Sequence, residues 1–242
     1  MSVRVVSLVP SATETLVAWG VTPIACTRFC EQPDLPHVGG TKDPDVAAIA
    51  ALRPDIVIVD EEENRKEDAD ALVAAGLSVH ALAIRSVADV GPALTRLATV
   101  LAVDPGVLTT ESTARTERGT AQGQRAFVPI WRRPWMTISG DTYGSSVLDA
   151  IGVTNVFAGA AERYPTVTLG DAAARRPDVV LAPSEPYPFT ERQRDELETV
   201  APVVFVDGKD LFWWGARTAG AIERLRAQLR PPRTAPHHGE GG

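Results

Sequence analysis

Residues 53–62 read R-P-D-I-V-I-V-D-E-E and residues 176–185 read R-P-D-V-V-L-A-P-S-E, so one phrase occurs twice at an offset of 123 residues. A duplication of this kind constrains the fold more than composition can, because each copy needs equivalent surroundings. In each copy a proline that stops a preceding helix is followed by an aspartate, then by an apolar run suited to a strand buried on both faces, then by an abrupt polar turn. A second match aligns Val6-Ser7 through Leu16 to Gly20-Val21 with Ile138-Ser139 through Leu148 to Gly152-Val153, at an offset of 132. The expected class is therefore α/β, with two Rossmann-like lobes built on mostly parallel sheets. Ligands of open parallel sheets bind beyond the carboxyl ends of the strands. That directs attention to Asp60-Glu61-Glu62-Glu63 and Ser184-Glu185-Pro186-Tyr187.

The expected organisation is a first lobe over 1–103, a bridging helix over 104–124, a second lobe over 125–230 and a disordered tail over 231–242. Asp104-Pro105 reads as an N-cap followed by proline at the first helical position. About 18 helical residues would span roughly 27 Å, enough to run along one side of two lobes. Thr109, Thr110, Thr113, Thr116 and Thr120 are poor helix formers, so a flexible linker is the competing reading. In the first lobe, strands are expected over 3–9, 24–27 and 78–82. Helices are expected over 46–52, 67–75 and 87–101, and from Ser11 or Thr13 to Trp19-Gly20 with a capping box from Ser11 to Glu14. The second lobe repeats the alternation, with strands over 126–130, 136–139 and 155–157, a helix over 143–151, further elements over 169–175, 179–182, 191–198 and 203–206, and a last helix over 215–229.

Composition excludes some functions. A formal net charge of -7 on 242 residues leaves no basic surface to neutralise phosphates, so no nucleic-acid partner is expected. Nowhere do about 18 apolar residues run together, and the start, M-S-V-R-V-V-S-L-V-P, enters a strand without a long apolar region or a cleavage site. As written, the chain is expected to be cytoplasmic, and extracytoplasmic if a leader has been removed. Cys26 and Cys30 are the only cysteines; with His37 they supply three metal ligands at most, short of a structural zinc set, and packing accounts for them as buried thiols. The metal-ligand set is unassigned.

Of fourteen aromatic residues, only Trp19 and Phe29 precede Phe127. Trp131, Trp135, Tyr143, Tyr164, Tyr187, Phe189, Phe212, Trp213 and Trp214 fall at strand ends or in loops rather than at core spacing. Adjacent tryptophans cannot both enter one core face, so at least one of Trp213 and Trp214 is expected to face a crevice, where flat rings suit a large, flat, apolar ligand. Arg28, Thr41 and Arg217 stand where they could supply hydrogen bonds, while Gly39 and Gly40 would let backbone approach closely. No nucleophile elbow, zinc-protease, P-loop or dinucleotide fingerprint occurs. The acidic run after the first repeat is ordinarily a solvated turn. Its echo at Glu185 instead suggests a pseudo-symmetric pair suited to a two-fold partner.

The segments R-V-V-S-L-V-P-S-A-T-E, T-R-F-C-E-Q-P, V-G-G-T-K-D-P-D, R-P-D-I-V-I-V-D-E-E-E-N and W-W-G-A-R together resemble the cobalamin and iron-siderophore substrate-binding proteins of ABC importers, in particular the cobalamin-binding branch also called helical-backbone metal receptors. The resemblance covers most of residues 3–229. It implies two α/β lobes joined by one long helix, a class III periplasmic-binding-protein arrangement, with a metal chelate between the lobes, no enzymatic activity, no required cofactor and a monomeric chain. It also implies one acid on each lobe contacting permease arginines. The first would be among Glu62, Glu63 and Glu67, with Glu62 chosen, and the second Glu185. The implied aromatic wall is Trp213 or Trp214 with Trp131 and Tyr143, and the ligand-binding residues expected in all are Phe29, Cys30, Thr41, Trp131, Tyr143, Trp213, Trp214 and Arg217. The chain departs from the family in showing neither a signal sequence nor a lipid-attachment cysteine near its start. The ligand reading is a corrinoid, with an iron siderophore or haem as alternative. Rivals from other classes are a chelatase-type enzyme using Cys30, His37 or Glu61 as metal contacts, and a cytosolic interaction protein that has lost its ligand.

Overall fold

A computed structural model describes residues 3–104 and 123–229. The first half runs β1 (Val5–Ser7), α1 (Pro10–Ala18), β2 (Ala25–Cys26), α2 (Val46–Leu52), β3 (Ile56–Asp60), α3 (Lys66–Ala74), β4 (Val79–Leu82) and α4 (Val87–Leu101). The second runs β5 (Arg125–Phe127), β6 (Pro129–Trp131), β7 (Trp135–Thr137), α5 (Tyr143–Ile151), β8 (Thr154–Asn155), β9 (Thr166–Val167), α6 (Leu169–Ala174), β10 (Val179–Pro183), α7 (Arg194–Leu197), β11 (Val203–Val206), α8 (Gly208–Phe212) and α9 (Thr218–Gln228). Each half holds a four-stranded parallel sheet, ordered β2-β1-β3-β4 in the first and β8-β5-β10-β11 in the second. The topology is the same in both, and the duplicated runs form the equivalent strands β3 and β10 of two separate sheets.

The R-P-D phrase has one mechanical duty in both halves. Arg53 and Arg176 turn into the left-handed region, at φ 46° and 52°, where the preceding helices end. The proline that follows cannot continue a helix. Asp55 then accepts the Arg4 backbone N–H at 2.7 Å, and Asp178 accepts that of Arg125 at 2.7 Å. The Arg4 guanidinium donates to the carbonyls of Leu52 and Arg53, and that of Arg125 to those of Arg175 and Arg176. The result is a clamp tying a helix end to the first and third strands of its sheet.

The second sequence match is half right. α1 and α5 are equivalent, each ending in a positive-φ glycine, Gly20 and Gly152. The strand equivalent to β1, however, is β5 and not the stretch around Ile138: Val5 pairs with Ile56 as Ala126 pairs with Val179. The offset therefore steps from 121 at the strand to 132 at the helix, because β6 and β7 are inserted between them and join β9 in a separate antiparallel sheet. The strand expected over 126–130 is accordingly two strands, broken at Val128, whose carbonyl accepts the Thr137 hydroxyl at 2.7 Å. No capping box forms from Ser11. The helix starts at Pro10, the Thr13 hydroxyl donates back to the Val9 carbonyl at 3.0 Å, and Glu14 reaches elsewhere. The bridging helix expected over 104–124 falls outside the described residues except for positions 104, 123 and 124, and the tail expected over 231–242 falls outside them entirely.

Two apolar clusters are private to the halves, one around Val57, Ile49 and Leu72, the other around Phe127, Val180 and Leu197. The largest is shared. It runs from Val5, Leu16, Ile58 and Leu94 to Ile138, Leu148, Leu181 and Trp214 without a break. Polar ties cross the same seam: the Val87 N–H donates to Ser146 Oγ at 2.8 Å, and the Ala216 N–H to Thr15 Oγ1 at 3.1 Å. At Gly215, φ is 104° and an added Cβ would stand 2.1 Å from Thr15 Oγ1, so only glycine permits this approach.

Candidate ligand-binding cleft

A cavity of about 580 Å³ opens where the carboxyl ends of β3 and β10 converge on the seam between the halves. The first half contributes Pro10, Phe29, Thr41, Asp60, Glu62, Glu63, Ile84 and Arg85. These loops are held together by Asn64, which is nearly buried. Its amide donates to the carbonyls of Leu8 at 3.2 Å and Thr41 at 2.9 Å, and its carbonyl accepts the Asp60 N–H at 2.8 Å. One side chain thus fixes the ends of β1 and β3 and the loop carrying Thr41. Sequence reading quoted this asparagine within a motif but gave it no role. The signal available was its place at the end of the acidic turn, where Asn and Asp side chains bond local backbone.

The second half contributes Ile130, Met136 and Ile138 from the inserted strands and their flank, Asp141, Thr142, Tyr143 and Gly144 from the start of α5, then Tyr164, Glu185, Pro186, Phe212, Trp213 and Trp214. Tyr143 is 7% exposed and its hydroxyl lies 2.9 Å from Thr218 Oγ1. Burial raises its pKa, so it stays a neutral phenol. Trp213 is half-buried; its indole N–H donates to Glu185 Oε1 at 2.6 Å, and Lys209 Nζ and the Arg217 guanidinium lie 5.2 and 5.3 Å from its ring centroid. Trp214 borders the cavity but is only 3% exposed and belongs to the shared core. Of the tryptophan pair, Trp213 is therefore the ring that a ligand can reach.

The structure brings Phe29, Thr41, Tyr143, Trp213 and Trp214 to one cavity, together with Glu62 and Glu185. It does not bring Trp131, Cys30 or Arg217 there. Trp131 is 45% exposed and packs edge-on against Tyr187, with Trp135 stacked on Phe189 beside them; these four rings serve the second half's own packing. Cys30 lies under the loop, its Sγ 3.2 Å from Thr13 Oγ1 and 3.3 Å from Thr27 Oγ1. Arg217 grips both oxygens of Glu14 at 2.8 and 2.7 Å and touches Asp210 at 3.2 Å, so it fastens the halves instead of greeting a ligand. Arg28 is taken by Asp43 at 2.9 Å. Gly40 packs against that pair and Gly39 against the backbone around Asp43, so neither glycine borders the cavity. The metal contacts of the chelatase reading are dispersed: Glu61 pairs with Arg85 at 3.3 Å, His37 Nε2 lies 3.3 Å from the Gln32 carbonyl, and among the described residues no three His, Cys, Asp or Glu side chains gather around a possible ion.

The cavity is strongly acidic. Asp60, Glu62, Glu63, Asp141 and Glu185 border it against one cation, Arg85. Several of these have partners. Arg163 pairs with Glu62 and, at 2.8 Å, with Asp141, and the Tyr164 hydroxyl donates to Glu62 at 2.8 Å, so the second half reaches across the mouth. Lys209 likewise pairs with Glu31 of the first half. Asp60 is different. It is 1% exposed, its Oδ1 accepts the Glu62 N–H at 2.9 Å, and its Oδ2 has no partner. Burial pushes its carboxyl up to about 7, and burial also raises those of Glu63 and Glu185.

No family model matches the chain. A vitamin B12-binding protein of Yersinia pestis (strain Pestoides F) is 27% identical over 191 residues, covering 74% of this chain and 68% of the relative. One of Vibrio parahaemolyticus is 27% identical over 192 residues, covering 74% and 70%. Among solved structures, the periplasmic vitamin B12-binding protein BtuF of Vibrio cholerae superposes with a TM-score of 0.78 at 20% identity, covering 94% of this chain and 96% of its own. The periplasmic heme-binding protein BhuT, in complex with two hemes, gives 0.79 at 22% identity, covering 95% and 98%. At those identities the structural likeness speaks to the fold alone. In sequence the chain is thus similar to vitamin B12-binding proteins, and in fold to periplasmic vitamin B12- and heme-binding proteins.

Proposed function

We propose that the chain is a non-enzymatic binding protein that holds a corrinoid in the cleft between its halves. The observation that carries this reading is the cleft itself: a cavity of about 580 Å³ at the ends of the duplicated strands, walled by Tyr143, Phe212, Trp213 and Phe29 and by the aliphatic side chains Ile84, Ile130, Met136 and Ile138. A corrin is a broad, largely apolar disc, and burying such a face against rings and aliphatics is the main source of affinity for a ligand of this shape. The sequence relatives named for vitamin B12 support the same ligand class. Heme is the second reading, favoured by a neighbour of the same fold solved with two hemes.

In this role the protein works outside the cytoplasm, as its neighbours named periplasmic do, and delivers its ligand to an ABC-type permease, the partner that the sequence resemblance implies. Among the described residues no helix is long and apolar enough to cross a membrane. Glu62 and Glu185, one on each half, both border the cavity and have partners within the chain, and in this role they are the acidic pair offered to the permease. The test is a titration followed by tryptophan fluorescence with cobalamin, haemin and a ferric siderophore. Cobalamin should quench with micromolar or tighter affinity, and Trp213→Ala should weaken it about ten-fold, the effect of losing a buried ring's area and stacking. Absence of quenching by any corrinoid would remove this reading.

A further inference from the structure

Asp60 presents an unmet demand inside the cleft. A buried carboxylate oxygen without a partner is costly to the folded protein, and such groups persist where something outside the chain satisfies them. Oδ2 of Asp60 is such an atom. It sits on a wall with Glu63, while the nearest cations are engaged: Arg85 with Glu61, Arg163 with Glu62 and Asp141, and the Lys42 ammonium with the Glu62 carbonyl at 2.7 Å. The first-half wall therefore offers acceptors and negative potential, and no free guanidinium for an anionic group.

Resting on the corrinoid reading, we infer that this wall determines specificity within the class: Asp60, with Glu63 beside it, accepts hydrogen bonds from carboxamide or ammonium N–H groups on the ligand's edge and rejects a ligand edged with carboxylates. A carboxamide brings two donors to an oxygen that lacks one. A carboxylate brings like charge to a low-dielectric site where repulsion is weakly screened. The same ring system with a different edge should therefore bind very differently, and haemin, which carries two propionates, should bind less well than an amidated corrinoid.

The test compares two corrinoids of one ring, dicyanocobinamide with carboxamide edges and cobyrinic acid with free carboxylates, against the full chain at pH 8 by tryptophan quenching. Dicyanocobinamide should bind at least ten-fold tighter. In Asp60→Asn the Oδ1 equivalent still accepts the Glu62 N–H while an amide donor replaces Oδ2, so the preference should shrink at least five-fold or invert. If Asp60→Asn loses its far-ultraviolet circular dichroism, Glu63→Gln carries the same comparison and should narrow the ratio. Equal affinity for the two corrinoids in the unmodified protein, or an unchanged ratio in the folded variant, overturns the inference and leaves the corrinoid reading standing. Failure of both corrinoids to bind overturns the corrinoid reading, and the inference with it.

Discussion

The carboxyl of Asp60 is the residue whose chemistry departs furthest from its sequence context. A D-E-E-E run reads as a solvated turn, and Glu61 does behave that way, exposed and paired with Arg85. Asp60 does not, because it is the last residue of a strand buried on both faces and the next turn folds its own N–H groups back over it. With its folded pKa raised to about 7 from an ordinary value near 4, Asp60 holds its proton in the folded chain and releases it in the unfolded one between those limits. Its contribution to stability is thus most favourable below about pH 4 and is lost as pH rises through 7. Asp60→Asn removes that dependence. The ligand-free variant should gain roughly 2–3 kcal/mol relative to the unmodified protein between pH 5 and pH 8, measured by urea unfolding at both values. A constant difference between the two pH values would show that the carboxyl is ionised throughout.

At the scale of elements, the duplicated phrase was legible as two strands because the proline, the apolar run and the polar turn are local signals. What the phrase does was not legible, since the bond from Asp55 to the Arg4 backbone spans 51 residues and that from Asp178 to Arg125 spans 53. The two clamps are geometrically alike, so Asp55→Ala and Asp178→Ala should each cost about 1–2 kcal/mol, and the double variant should show their sum, as expected for distant sites. Unequal or strongly non-additive losses in denaturant melts would deny the equivalence. Helices with strong periodicity and clear ends, such as Val46–Leu52 and Val87–Leu101, match their expected limits. The misses have physical causes. β6 and β7 run on from an apolar strand, with nothing in composition to mark a change of sheet, while β9 has two residues and α8 five, too short to carry a period. The same blindness affected the site. Tyr143 and Trp213 border the cavity and Trp131 does not, a difference that residue type alone could not give because only the fold shows Trp131 packing on Tyr187.

For the whole molecule, the shared apolar cluster decides how the halves behave. A core running from Val5 through Leu94 to Leu148 and Trp214 cannot be exposed in one half alone, so the chain should unfold in a single transition by fluorescence and circular dichroism alike, despite its two sheets. Trp214→Ala, which empties a site 3% exposed, should cost about 3–5 kcal/mol with that transition kept single. Two separated transitions would mean the seam is weaker than its packing. The inserted strands have a different consequence. Two repeats about an approximate two-fold make a slot that reads the same from either side, and a flat guest could enter such a slot either way up. Here the inserted strands and their flank bring Ile130, Met136 and Ile138 to one side, while the other side offers Ile84 with Asp60 and Glu63. The extra hairpin thus gives the slot a top and a bottom, so a disc with two unlike faces would be held in one orientation, always presenting the same face to whatever next receives it.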